Sequence, residues 1–283
     1  MGLEGLLAAA KYLGVAGLGY LAGRYAGLRA PQWLFTLVVA ALIAAVASLA
    51  SRAFLEESVA VLASSLAYAA ATMLGSMLAA LPLSRLARHR GAAESRTQRG
   101  FAVIALASLA AGVAAGCAGL RAPPGIIDPL LVVLVFLAGL DLGRHRGLRP
   151  EAWMLALPFA SLAGALAAGA ALAPLVHAPL AVAAGMGWYT FTAPYLLAAT
   201  HNAYTAAVAL LANLAREQAT IVLVPLASRR LPLPAAVAAG GVTTMDTTLP
   251  VYTASYGPRG TLAAVTNGAV LTLLVPVLVP LLA

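Results

Sequence analysis

Ten apolar segments run along the chain, at about 5–23, 32–50, 58–82, 101–120, 127–143, 152–174, 178–200, 203–227, 233–256 and 260–282. None alternates with the two-residue period of a strand, so each predicts a helix. A helix that crosses a bilayer needs roughly 20 apolar residues, and most of these segments are that long. Short polar clusters separate them, and the longest, at 85–99, reads as a loop. No soluble domain fits between the segments. Residues 1–10 have no basic leader region and read as part of the first span rather than a removed signal. The pattern predicts an all-α polytopic membrane protein with a single transmembrane domain over 1–283.

Two internal repeats overlie this pattern. Gly27-Leu28-Arg29-Ala30-Pro31 returns as Gly119-Leu120-Arg121-Ala122-Pro123, and Leu37-Val38-Val39 returns as Leu131-Val132-Val133. This divides the first part of the chain into units at about 1–91 and 100–177. Each holds three segments, and an odd number of spans inverts the second copy, as in many secondary transporters. The second repeat is sharper. PLAVAAG at 179–185 returns as PAAVAAG at 234–240, defining units at about 178–232 and 233–283. Both copies run through Gly pairs and polar residues to a Pro, at Pro194 and Pro250. Gly and Pro break a helix and free backbone groups that lipid cannot satisfy, so such breaks survive against protein or a water-filled cavity. Paired breaks at matching positions are the best pointer in a sequence to a transport site.

Charge decides how the two broken segments sit. If all ten segments span and the N-terminus is outside, inside loops hold eleven Arg and outside loops four. If 178–200 and 233–256 instead enter and turn back, Arg229 and Arg230 move inside and the balance becomes thirteen to two. Positive residues concentrate inside. The expected architecture is therefore eight transmembrane helices plus two re-entrant hairpins, with ten helices, two of them broken, as the alternative. Both place the N- and C-termini outside a multi-pass protein of the cell membrane.

Composition agrees with the pattern. Hydrophobic residues make up 62% of the chain and charged residues 9%, against about 25% in soluble domains, and the mean hydropathy is +0.94. The net charge of +8 would suggest nucleic-acid binding in a soluble protein. Here it follows from Arg in short loops, so no nucleic-acid partner is expected. One Cys and four scattered His exclude a disulfide and give no metal-ligand spacing, and no nucleotide or hydrolase motif is present. No cofactor, metal or enzymatic role is expected.

The candidate chemistry lies in and beside the breaks. Ionisable residues at membrane depth cost about 2.5–3.5 kcal/mol each on insertion scales, so they are the first suspects. Asp246 lies among Thr243, Thr244, Thr247 and Thr248, with no Lys or Arg within twelve residues on either side. A carboxylate there can hold an ammonium, a metal cation or a proton, or can cap a half-helix. Arg216 and Glu217 fall mid-span, near Asn213. Being adjacent on a helix they face different partners, such as Asp246 or a hairpin carbonyl. Gly185, Gly187, Gly240 and Gly241 mark the breaks, and Trp188 and Tyr189 can meet a cation with an aromatic face or pack the tip. Glu56 and Glu57 could line an entrance or form a solvated turn. Asp128 reads as an N-cap and Lys11 as a snorkelling residue. A pairing of Asp141 with Asp246 would suit an intramembrane aspartyl protease, but no GxGD pattern accompanies either.

Three blocks, GMGWYTFTAP at 185–194, NLAREQ at 213–218 and GGVTTMDTTLPVY at 240–252, together resemble the signature blocks of the LysO-type lysine exporters. FLAGLDL at 136–142, AFLEE at 53–57 and the Pro-containing tail at 275–282 resemble further segments. The similarity is dense over 130–283 and thin before it. It implies secondary active export of L-lysine and its analogues, coupled to an ion gradient of protons or Na⁺, with Asp246 and Glu56 at the family's acidic positions. Two departures accompany it. The family shows Asp-Asn where this chain has Glu56-Glu57, and its NDLARE reads Ala212 to Glu217 here, with Asn213 in place of the carboxylate.

On this reading lysine sits between the hairpin tips. Its carboxylate meets backbone N–H groups near Gly185, Gly187, Gly240 and Gly241, and an ammonium pairs with Asp246. Asp246, Glu217, Arg216 and Glu56 are the ion-coupling candidates. A homo-oligomer is compatible with the sequence. The rival readings are an exporter or antiporter for another solute, such as arginine or Na⁺, and a non-transporting membrane receptor or structural subunit.

Overall fold

The computed structural model describes residues 3–28, 31–51, 56, 58–87, 99–144, 150–245 and 247–283. Asp246, Glu57 and most of the 85–99 loop lie outside the described residues, as do the side chains of Asp141 and Arg144. Among the described residues the chain is all helical. In order the helices are α1 (Leu3–Tyr25), α2 (Gln32–Leu49), α3 (Ser58–Ala80, extended by a turn at Ser84–Ala87), α4 (Arg99–Cys117), α5 (Ile127–Arg144), α6 (Ala152–Val176), α7 (Ala181–Ala184), α8 (Tyr189–Thr200), α9 (Ala203–Ala227), α10 (Leu233–Gly240) and α11 (Leu249–Leu282). Among the described residues four stretches are long and apolar enough to cross a membrane: Ser58–Ala87, Ala152–Val176, Ala203–Ala227 and Val251–Leu282.

The distribution of polarity is that of a membrane protein. Leu18, Val59, Leu175 and Leu226 face outward, the last 79% exposed, while Arg216 and Glu217 are each only 1% exposed. Charged side chains almost never sit fully inside a soluble protein. Within a bundle surrounded by lipid the interior is where they belong.

Small residues set the helix pairs of the first part of the chain. α1 lies along α5, and a Cβ at Gly19 or Gly23 would come within 2.3 Å of a carbonyl oxygen of α5. α2 lies along α4, where a Cβ at Gly112 or Gly116 would meet the Ala44 or Ser48 carbonyl at 2.5 or 2.4 Å. α3 crosses α6 at Gly75 and Gly164, each of which would collide with the other's carbonyl. Such backbone approach replaces the hydrophobic drive that lipid removes.

Two expectations change here. Asp128 lies inside the first turn of α5 rather than ahead of it, and it takes an ion pair from Lys11 at 2.5 Å and a hydrogen bond from the Tyr12 hydroxyl at 2.9 Å. Lys11 thus ties α1 to α5 instead of only reaching for an interface. Asn202 caps α9 by accepting from the Thr205 amide at 3.1 Å.

A tyrosine hydroxyl joins the two ends of each broken segment. In the first, α7 and α8 meet at Gly185 to Trp188. The Tyr204 hydroxyl just past its end donates to the carbonyl of Val176 just before its start, at 3.3 Å. In the second, α10 leads through a 3₁₀ turn at Gly241–Met245 into α11, and the Tyr256 hydroxyl donates to the Leu231 carbonyl at 2.9 Å. α11 would be about 50 Å long if straight, far more than a bilayer core. Gly257, with φ 64° and ψ −158°, breaks it into 249–256 and 258–282.

An ion pair holds this break against α6. Arg259 Nη2 lies 2.6 Å from Glu151 Oε2, and Trp153 Nε1 also donates to that carboxylate at 2.9 Å. Arg259 first, and then Trp153, hold the Glu151 carboxyl below its ordinary 4.5. A depressed carboxylate stabilises the fold above that ordinary value and loses the contribution as pH falls below it. The pair is solvent-accessible, so it contributes at most about 1 kcal/mol. Glu151→Gln is expected to lower Tm by ~2 °C at pH 7, with the gap to the parent closing in melts below pH 4.5.

Candidate functional site

The tips of the two folded-back segments touch. The Val242 amide donates to the Met186 carbonyl at 2.9 Å, linking the 3₁₀ turn after α10 directly to the loop after α7. Met186 and Gly241, 55 positions apart, both hold positive φ, at 50° and 62°. A side chain at Gly241 has no room, because its Cβ would lie 2.0 Å from the Met186 oxygen. Gly241→Ala therefore meets both backbone strain, about 1–3 kcal/mol, and a carbonyl that must move. It is expected to open the tip contact and lower the Tm of the purified protein. Gly187→Ala, whose Cβ would lie 3.3 Å from the Gly240 oxygen, should act through its φ of 91° with a milder clash. Thermal melts of the two variants rank these effects.

Two asparagines hold the tips from the following helices. Asn213 on α9 accepts from the Gly187 amide at 2.8 Å and donates to the carbonyls of Val182 and Ala209. Asn267 on α11 donates to the Gly241 carbonyl at 2.9 Å and lies 3.3 Å from the Thr244 hydroxyl. Its own Oδ1 is buried without a hydrogen-bond partner among the described residues. Asn267 was not a sequence candidate. Its signal is its place 54 residues after Asn213, one short of the repeat offset of 55.

Arg216 secures the second segment. It is fully buried, its Nε donates to the Ala239 carbonyl and its Nη2 to the Ala238 carbonyl, both at 2.8 Å, and Nη2 also reaches Ser76 Oγ on α3 at 2.9 Å. These carbonyls end α10, where the helix dipole favours a cation. Nη1 lies 3.7 Å from Met186 Sδ, so the guanidinium touches both tips. Of the partners expected for Arg216, the hairpin carbonyls are the ones shown. Glu217 is buried on the neighbouring face and accepts from Gln218 at 3.3 Å.

The threonines turn inward onto backbone. Thr243 Oγ1 donates to the Gly240 carbonyl, Thr248 Oγ1 to the Thr243 carbonyl, and Thr244 Oγ1 lies within 2.9 Å of the Gly241 and Ala264 oxygens. Thr247 is half-buried. Trp188 and Tyr189 are buried, and Trp188 packs on Phe191 at 5.3 Å between ring centres, continuing through Tyr12 and Tyr195. The Gly185 and Gly187 amides are taken by Ala181 O and Asn213 Oδ1, so in this state they are not open to a substrate carboxylate. The structure thus brings together Gly185, Gly187, Trp188, Gly240, Gly241, Thr243, Thr244, Asn213 and Arg216. Glu56 is exposed ahead of α3 and makes no hydrogen bond or ion pair among the described residues.

A family model described as Lysine exporter LysO matches residues 106–283, which include both tips, both asparagines and Arg216. The chain belongs to the lysine exporter LysO family. The lysine exporter LysO of Escherichia coli (strain K12) is 33% identical over 158 residues, 53% of this chain and 52% of that protein. The chain thus matches about half the length of that curated relative. No solved structure matches. Like the sequence resemblance, the LysO match lies toward the C-terminal part, where the tips meet.

Proposed function

We propose that this chain is a secondary active exporter of a cationic amino acid, L-lysine, across the cell membrane, with proton antiport. The observation that carries the reading is the meeting of two broken segments over a buried cation. α7 and α10 both end at the crossing, so their carbonyl ends, which favour positive charge, converge there. Arg216 already occupies one of them. Membership of the LysO family supports lysine as the solute.

The architecture proposed is eight spans and two opposed re-entrant hairpins. Tyr204 to Val176 and Tyr256 to Leu231 bring the two ends of each hairpin to one side. The start of α10 packs on the turn Ser84–Ala87. That contact favours Arg229 and Arg230 on the same face as Arg85, in line with the thirteen-to-two charge balance and with both termini outside. The helix pairs support inverted units at 1–91 and 100–177. Exchanging the first three segments for the second three turns the α1–α5 pair into α4–α2 and leaves α3–α6 unchanged. Gly19 and Gly23 then correspond to Gly112 and Gly116. Alternating access would be rocking of one set of repeats against the other around the tips.

Lysine binds where the tips part, one ammonium pairing with Asp246, and a proton on Asp246 excludes it. Asn213, where the family pattern carries a carboxylate, favours a second reading in which ion stoichiometry or the choice between lysine and arginine differs. Counterflow of labelled lysine in proteoliposomes tests both. Uptake that is accelerated by an imposed pH gradient and blocked by unlabelled lysine is expected. Stronger competition by arginine, or dependence on Na⁺ alone, selects the second reading. No solute-dependent flux sinks the proposal.

A further inference from the structure

A groove of about 650 Å³ opens between α3 and α9, within the roughly 300–1,000 Å³ usual for ligand pockets. Its walls are apolar, chiefly Met73, Met77, Leu223, Val224 and Leu226. At its mouth stand Arg229 and Arg230, both exposed and neither with a side-chain hydrogen bond or ion pair among the described residues. At its inner end lie Thr220 and Ala239.

We propose that this groove binds one anionic phospholipid, with an acyl chain between α3 and α9 and the headgroup phosphate on Arg229 and Arg230. The chemistry excludes the other candidates. A cationic amino acid would face two like charges at the mouth and no carboxylate among the described residues that line the walls. A small free anion would gain nothing from those walls. An amphiphile with a negative head satisfies both parts. The arginines follow the end of α9 directly, where a spanning helix leaves the bilayer, and basic residues there attract anionic headgroups at ~1 kcal/mol each.

The inner end gives the lipid something to act on. The Ala239 carbonyl takes the Arg216 Nε hydrogen bond, and the Thr220 hydroxyl donates to the Arg216 carbonyl at 2.9 Å. A chain seated in the groove supports the wall that carries the Arg216 lock, and so favours the state with the tips together. This inference does not depend on which solute is carried.

The test is native mass spectrometry of the full chain in mild detergent, titrated with phosphatidylglycerol or phosphatidylcholine of the same acyl chains, alongside thermal melts. One retained phosphatidylglycerol per chain and a higher Tm than with phosphatidylcholine are expected. Arg229→Gln with Arg230→Gln should weaken retention ~30-fold, from two headgroup contacts. Ala227→Trp, which keeps both charges but narrows the groove, should weaken it too. Arg121→Gln, in a distant loop, should not. Equal retention of the two lipids overturns the proposal. So does phosphatidylglycerol that stays bound in the double variant, or loss in the double variant without loss in Ala227→Trp, which would leave only adsorption to surface charge.

Discussion

Arg216→Leu is expected to lower the stability of the protein by about 3–5 kcal/mol and to abolish transport. The side chain is the largest one fully buried among the described residues, and its hydrogen-bond partners there are the carbonyls of Ala238 and Ala239, the Ser76 hydroxyl and, at 3.7 Å, Met186 Sδ. Leucine leaves these carbonyls at the end of α10 without the Arg216 donor. Each buried group left unsatisfied costs about 1–3 kcal/mol. Arg216→Lys separates charge from geometry. A lysine ammonium keeps the positive charge at the helix end but cannot reproduce the planar fork that spans two carbonyls and Ser76. We expect Arg216→Lys to fold with a lower Tm and to carry lysine at least ten-fold more slowly. A Leu variant that melts at the parent temperature would show that Arg216 does not hold α10.

The second large effect is expected at Asp246. Asp246→Asn keeps the size and shape of the side chain, removes its ability to ionise and turns one acceptor oxygen into an amide donor. On the proposed mechanism it should cut lysine counterflow at least 100-fold, abolish the response of flux to pH, and leave Tm within a degree or two of the parent. The neighbouring hydroxyls cannot stand in for the lost charge, because those of Thr243, Thr244 and Thr248 already point to backbone oxygens. Two controls sharpen the reading. Thr243→Val and Thr248→Val should reduce stability through the turn while keeping the pH response. If Asp246→Asn retains pH-coupled lysine flux, the proton and the substrate do not compete at that carboxyl.

Much of this was legible in the sequence because membranes leave few choices. A lipid-exposed chain must satisfy its backbone internally, so apolar runs become helices and Gly-rich polar interruptions become the places where helices stop. The repeat of PLAVAAG as PAAVAAG pointed to the two tips, and Met186 and Gly241 fall at matching positions immediately after it. What the pattern could not carry was pairing between distant segments. Lys11 and Asp128 are 117 positions apart, and nothing local marks either as the other's partner. The Gly19–Gly23 and Gly139–Gly143 spacings look like ordinary small residues in an Ala-rich chain until their helices are side by side. Asn267 was hidden by a one-residue slip in the repeat and by the apolar tail around it. The use of the Gly187 amide by Asn213 was also invisible, since it depends on where a side chain of α9 meets a turn 26 positions earlier.

The tips are joined by one backbone bond and by the Arg216 guanidinium, which touches both. The bond from the Val242 amide to the Met186 carbonyl needs no particular side chain, and a single such bond contributes about 1 kcal/mol net. Taken by itself that favours the joined arrangement by only about five to one. A bond this shallow parts on thermal energy, which leaves the Arg216 contacts to set how readily the tips separate. On the proposed function, the ion gradient would then choose the direction in which the parted tips are emptied.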